Sequence, residues 1–182
     1  MRLDHLDERV ELPAGVKIRA EGDMIHAEGP KGKLSRKIMN PSLILTQEGS
    51  ILKITIKNAT KREKTTLGTF KAHLKNMVTG VNEGFTYKMK VCSGHFPMTV
   101  MMKGDELIVK NYLGEKTPRV LKIKPGAEVK VEGDIVVVTS LNRELAGQTS
   151  ASIENLTSRS DYDKRIFQDG IYIIDKAGKE IK

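Results

Sequence analysis

The residues with the most reactive chemistry in this 182-residue chain are Ser93-Gly94-His95, four histidines and a single cysteine, Cys92. A serine beside a histidine could act as nucleophile and base, provided a third group orients the imidazole. Here the pair lies between two strand-like runs and lacks the Gly-x-Ser-x-Gly elbow, so it reads as a turn with a polar tip. His5, His26, His73 and His95 never recur at metal-ligand spacing, and no His-Glu-x-x-His is present. One cysteine cannot form an internal disulfide and is too few for a cysteine-based zinc site. Asp161-Tyr-Asp163 could face a divalent cation, but it sits in the mixed-charge run SRSDYDKR and reads as a solvated loop. Gly29-Pro-Lys-Gly-Lys33 lacks the spacing of a phosphate loop. These motifs give no catalytic centre, metal site or cofactor.

Basic residues offer a different chemistry. The chain carries 31 basic and 23 acidic residues, a net charge of +8, with a pI near 9.5. A surplus of that size suits a polyanion such as nucleic acid or an acidic surface. Lys31, Lys33, Arg36 and Lys37 flank the GPKG turn, and Lys57, Lys61, Arg62 and Lys64 lead into a helical stretch. Each cluster reads either as a set of phosphate contacts or as a solvated loop. Residues 1–82 hold a net +6 and residues 83–182 a net +2, so charge alone places a polyanion on the first half. In the second half, Arg143 precedes Gly147-Gln-Thr-Ser150, read as a helix start where small residues let a phosphate reach backbone N–H groups. Arg159, Lys164 and Arg165 surround Phe167, which suits a base or ribose contact and equally suits packing under a C-terminal strand.

Those residues must be positioned by a scaffold, and the chain spells that scaffold twice. EGSILKITIKN (48–58) and EGDIVVVTSLN (132–142) match at five of eleven positions, 84 residues apart. Gly22-Asp23 and Gly104-Asp105 each separate two short runs rich in Val, Ile, Thr and Met, which is a hairpin signal. Each half then ends in a helix candidate. In the first, Leu67, Phe70, Leu74, Met77, Val78 and Val81 share one face, with Thr65 or Thr66 as the cap and Gly80 as the end. Lys71, His73 and Lys75 are then expected to point outward. The second helix is expected to begin near Ala146, with Ile153 and Leu156 facing inward. The fold expected is α+β: two similar domains by internal duplication, each an antiparallel β-sheet covered on one face by an α-helix. Their ranges are 1–82 and 83–182, with the join near Asn82–Phe85.

Composition limits the class further. With 38% hydrophobic and 30% charged residues the chain is an ordinary folded protein. Aromatic residues make up 4% and Trp is absent, too little for stacking along many single-stranded bases. The opening MRLDHLDERVELP has no apolar core for a signal peptide, and no run approaches the roughly 18 apolar residues of a membrane span. The compartment expected is a reducing cytoplasm, with no membrane partner.

Glu11–Ile38, ELPAGVKIRAEGDMIHAEGPKGKLSRKI, resembles the N-terminal signature of the family of the sixth protein of the large ribosomal subunit. SGHFPM (93–98), NYLGEK (111–116), GQTSASIEN (147–155) and RIFQDGIYI (165–173) are similar to its archaeal and eukaryotic branch, while the bacterial Lys-Gly-Lys-Gly-Ile-Arg-Tyr ending is missing. The resemblance spans essentially the whole chain. It implies a structural, non-catalytic protein of two α+β domains that binds large-subunit rRNA near the sarcin–ricin loop and the stalk base. The second domain would be the main rRNA-binding domain, with neighbouring ribosomal proteins and translational GTPases close by; a free-standing RNA-binding regulator is the alternative. Matched residue by residue, the family's motifs imply an RNA surface at Ser93, His95, Phe96 and Pro97, then at Asn111, Tyr112, Gly114, Lys116 and Arg119. Asn142, Arg143, Gln148 and Thr149 follow from the second helix, and Arg165, Phe167 and Gln168 from the tail loop.

Overall fold

The computed structural model describes residues 3–37, 43–163 and 165–181. The chain divides into two compact units, Met1–Gly84 and Phe85–Lys182, each with its own hydrophobic core. All described strand pairings are antiparallel.

The first unit contains β1 (Leu3–Glu11), β2 (Lys17–Glu21), β3 (Met24–Gly29), β4 (Gly32–Lys37), β5 (Leu43–Glu48), β6 (Ile51–Ala59) and α1 (Lys61–Asn82). Its strands form two sheets, ordered β1-β6-β5 and β2-β3-β4. The second contains β7 (Phe85–Cys92), β8 (Thr99–Lys103), β9 (Glu106–Lys110), β10 (Arg119–Lys122), β11 (Ala127–Glu132), β12 (Ile135–Ser140), α2 (Arg143–Leu156), β13 (Gly170–Lys176) and β14 (Lys179–Glu180). Its sheets are β11-β12-β7-β13-β14 and β10-β9-β8. Element by element the order is the same in both units, except that the second adds β13 and β14 along the outer edge of β7. Two sheets per unit replace the single sheet expected. The reason is that the Gly-Asp hairpins do not continue the sheet that precedes the helix, and instead form a separate three-stranded layer.

Alternation builds both cores. In β7, Phe85, Tyr87, Met89 and Val91 point inward while Thr86, Lys88 and Lys90 point out. Leu52, Ile54 and Ile56 of β6 and Val136 and Val138 of β12 do the same at matching places. The turns before β6 and β12 are two-residue loops opened by Gly49 (φ +61°) and Gly133 (φ +60°). A positive φ at the first loop position is what a tight hairpin needs and what only glycine adopts cheaply.

The helices differ from expectation at their starts. α1 begins at Lys61 with Thr60 as its cap, not Thr65 or Thr66: the Thr60 hydroxyl accepts from the Arg62 N–H, and Glu63 accepts from the Thr60 N–H. That capping box starts the helix a turn earlier than the apolar stripe alone implies. Lys61, Arg62 and Lys64 therefore lie on the first turn of the helix rather than in a connection. The helix runs past Gly80 to Asn82, and Gly84 (φ +78°) turns the chain out. The stripe Leu67, Phe70, Leu74, Met77, Val78 and Val81 is buried.

Lys71 and His73 do not point freely outward. α1 packs against strands of both sheets, so Lys71 reaches Glu8 on β1 at 2.5 Å and His73 meets Arg36 on β4 at 3.2 Å. Lys75 is exposed. The GPKG turn is pinned to the end of the same helix. The Lys31 N–H donates to the Val81 carbonyl at 2.9 Å, and a Cβ at Gly29 would stand 2.6 Å from that oxygen. Gly29 is thus a packing requirement, as a side chain there would collide with backbone.

Phe70 lies mid-stripe on α1 and is 5% exposed. Phe70→Ala is expected to lower the stability of the first unit by about 3–5 kcal/mol, read as the loss of helical signal during urea unfolding. An unchanged midpoint would mean that this face does not seal the core.

Candidate nucleic-acid interface

Three loops far apart in sequence meet at one end of the second unit. They are residues 93–98 between β7 and β8, residues 111–116 after β9, and residues 165–169 before β13.

Asp169 joins the first loop to the third. The carboxylate is buried, at 4% exposure, and accepts from the His95 backbone N–H at 3.0 Å and meets the His95 ring Nδ1 at 2.7 Å. Burial pushes its pKa up, but these bonds and another from the Gly94 N–H outweigh it, so Asp169 titrates below the usual carboxylate range. An ionised carboxylate only accepts, so Nδ1 carries the proton and Nε2 is left as the ring's outer nitrogen. The His95 ring packs on Phe167, centroids 4.7 Å apart, and Tyr162 meets Phe167 edge-on at 4.9 Å. Phe167 therefore packs on His95 and Tyr162 and is half-buried.

The second loop is held by backbone geometry. Asn111 (φ 59°) and Leu113 (φ 47°) are left-handed, and a single 3₁₀ turn spans Tyr112–Gly114. Non-glycine residues in this region are costly and cluster at functional sites. The Asn111 side chain donates to the Pro97 carbonyl at 3.0 Å, and a Cβ at Gly114 would be 3.4 Å from the Phe96 ring. SGHFPM and NYLGEK therefore clasp one another, with Phe96 left 43% exposed.

Arg119 stitches this corner to the end of α2. Its guanidinium binds Glu115 through two nitrogens, at 2.8 and 2.6 Å, and donates to the Leu156 carbonyl at 2.6 Å. It also lies 4.3 Å over the Tyr112 ring. Arg119 hydrogen bonds hold the Glu115 carboxyl below the usual range against an opposing effect of burial. Arg159 stands 3.6 Å from the same carboxylate and 4.5 Å over Tyr162. Tyr112, Arg159, Tyr162, Phe167 and Asp169 help line a cavity of about 250 Å³.

The expected site residues separate accordingly. Ser93, His95, Phe96, Pro97, Asn111, Gly114, Lys116, Arg165 and Gln168 are exposed in or beside the converging loops. Ile166, next to Arg165, is 62% exposed. Arg165 holds Asp163 through two nitrogens, and Lys164 lies outside the described residues. Tyr112 is a core residue at 3% exposure, and Arg119 is committed to protein carbonyls and Glu115.

Asn142, Arg143, Gln148 and Thr149 are not in this cluster. α2 has 14 residues, which at 1.5 Å per residue makes it about 21 Å long. Asn142 and Arg143 sit at its start, and the Arg119 corner at its finish. Asn142 is the helix cap, accepting from the Glu144 N–H at 2.9 Å, while the Arg143 guanidinium lies 5.9 Å over Phe85. The expected helix start at Ala146 is corrected to Arg143. Gly147–Ser150 thereby falls inside the helix, where its N–H groups are not the open ones of a first turn. The small residues serve packing: a Cβ at Gly147 would be 3.4 Å from the Tyr87 hydroxyl, and Thr149 is buried at 4% exposure, so it is no surface donor. Gln148 is exposed.

Asp169, Glu115 and Tyr162 are not among the residues the sequence singles out, whereas Arg159 is, as one of the cations around Phe167. No spacing links residue 169 to residue 95. His95 and Asp169 look like two-thirds of a hydrolytic triad, yet His95 Nε2 has no hydroxyl or thiol bonded to it among the described residues. No group of three metal-ligating side chains occurs among them either.

A carboxyl whose pKa is lowered by folding stabilises the fold above its unfolded value, about 3.9, and loses that effect as pH falls through the folded value. Asp169→Asn is therefore expected to destabilise the second unit most at neutral pH, with the gap to wild type closing below about pH 4. All four tyrosines lie in residues 85–182, so tyrosine fluorescence during urea unfolding reads this unit alone. A gap that stays constant from pH 7 to pH 3 would rule out the ionised carboxylate as its source.

Comparison with known proteins agrees with the motifs. The family model described as Ribosomal protein L6 matches residues 12–84 and 96–170. Over 169 residues the chain is 44% identical to the large ribosomal subunit protein uL6 of Methanosarcina mazei, covering 92% of this chain and 96% of that one. It is 41% identical to the uL6 of Methanobrevibacter smithii, covering 93% and 95%. It is 40% identical to the uL6 of Methanospirillum hungatei, covering 92% and 96%. With both halves matched and archaeal relatives aligned almost end to end, the chain belongs to the ribosomal protein L6 family.

Proposed function

We propose that this chain is a structural constituent of the large ribosomal subunit, in the cytoplasm, and that it binds large-subunit rRNA chiefly through residues 83–182. The contact is placed near the sarcin–ricin loop and the stalk base. There the protein holds RNA in shape for subunit assembly and for the docking of translational GTPases, and it touches neighbouring ribosomal proteins. Its role is not enzymatic. The internal repeat reflects duplication of one ancestral unit, with residues 1–82 as the other copy.

The observation that carries this reading is the convergence of loops 93–98, 111–116 and 165–169 on a rigid, Asp169-anchored corner. Folded RNA is recognised by shape, riboses and phosphates more than by net charge. The corner supplies what that requires. His95 Nε2 can accept from a ribose hydroxyl, Phe96 and Ile166 offer exposed apolar surface, and Lys116 and Arg165 reach phosphates. Arg143, with Gln148 along the same helix, forms a second contact about one helix length away.

Reversing charge at Arg143 and Arg165 together is expected to cut retention in salt-washed large subunits by about tenfold or more, whereas Lys75→Glu on α1 leaves it unchanged. Lys75 is the better control than Lys71, which is bonded to Glu8. Equal losses for the two variants would place the RNA contact elsewhere.

A further inference from the structure

The first unit contains an open trough that none of the preceding chemistry uses. It runs between the end of β4 and the first turns of α1, with a volume of about 510 Å³. That is within the roughly 300–1,000 Å³ span of ligand clefts. Its floor is Leu43 and Phe70, and its rim carries Arg36, Lys37 and Arg62. Among the described residues, no acidic side chain lines it.

The wall from α1 is what decides its chemistry. Thr65, Thr66 and Thr69 each turn the hydroxyl back onto the helix, donating to the carbonyls of Lys61, Arg62 and Thr65 at 3.1 Å. With those donors spent, the wall presents threonine methyl groups, with the His73 ring beside them bonded to Arg36. The trough is therefore apolar inside and cationic at the edge.

We propose that this trough docks an acidic amphipathic segment of a partner protein, with aliphatic side chains on the methyl-lined floor and carboxylates at Arg36, Lys37 and Arg62. Helices and extended segments of that composition bind apolar grooves through spaced anchors, and guanidinium groups pair with carboxylates through two hydrogen bonds. RNA fits the same place poorly. The rim cations would meet a phosphate as readily as a carboxylate, but a base needs an exposed aromatic face, whereas Phe70 is 5% exposed and the floor is otherwise aliphatic. The trough lies wholly within the first unit, so this proposal does not depend on the RNA surface of the second.

The test uses the full chain and two fluorescent probes, the peptide Leu-Glu-Glu-Leu-Leu-Asp repeated twice and a ten-nucleotide oligouridylate, titrated at low salt. The peptide is expected to bind with an affinity that falls about tenfold in the double variant Arg36→Glu, Arg62→Glu. Thr66→Trp, which fills the trough from an exposed turn, is expected to abolish binding while circular dichroism shows an intact helix. Lys75→Glu is expected to leave it unchanged. Failure of the peptide to bind, binding insensitive to Thr66→Trp, or tighter binding of the oligouridylate with the same sensitivities would overturn the proposal.

Discussion

One buried carboxylate organises the second unit. Asp169 takes the backbone of Gly94 and His95 and the ring of His95 onto a single side chain. It stands immediately before β13, the strand that lines the edge of β7. Holding residue 169 against residue 95 thus fixes the entry of the added strand and the tip of the β7–β8 connection at once. The Phe167 ring, two residues earlier, then falls against His95, and Tyr162 and Arg159 follow. A buried carboxylate without those donors would be costly. With them, the fold gains a corner that is rigid enough to present exposed side chains in a fixed pattern.

The two units solve the same packing problem with different economies. In the first, a 22-residue helix with a long aliphatic stripe seals the core, and Glu8 and Arg36 engage the flanks of that helix. In the second, the helix is short and built from small residues so that it can lie close to Tyr87. β13 widens the sheet beside β7, and the helix packs against β13 as well as β7 and β12. Net charge ranks the first unit above the second, yet the exposed aromatic and the convergent loops belong to the second. Charge measures attraction to a polyanion in general; fit to a folded RNA depends on where donors and apolar groups are fixed.

Much of the scaffold was legible in the sequence because it obeys local rules. The stripe from Leu67 to Val81 announces a helix, and the glycines at 22 and 104 announce hairpins. What local rules do not encode was missed. The cap at Thr60 lay beyond the apolar stripe, so the start of α1 was placed too late. In sequence Gly147–Ser150 resembles a phosphate cradle because small residues serve close anion approach and close helix packing alike, and only the position of Tyr87 distinguishes the two. The partnership of Asp169 with His95 spans 74 residues and has no periodic signature. Tyr112 and Arg119 lie in or near the NYLGEK motif, but their side chains hold that corner together rather than leaving it.

We propose that RNA meets the corner formed by residues 93–98, 111–116 and 165–169. It is tested most directly by ultraviolet cross-linking of salt-washed large subunits, followed by mass spectrometry of the RNA-bound peptides of this chain. Cross-links are expected at His95, Phe96 or Phe167 and their loop neighbours, in subunits that hold the protein at one copy each. Cross-links confined to the first unit, or a chain that washes away from the subunit altogether, would contradict it.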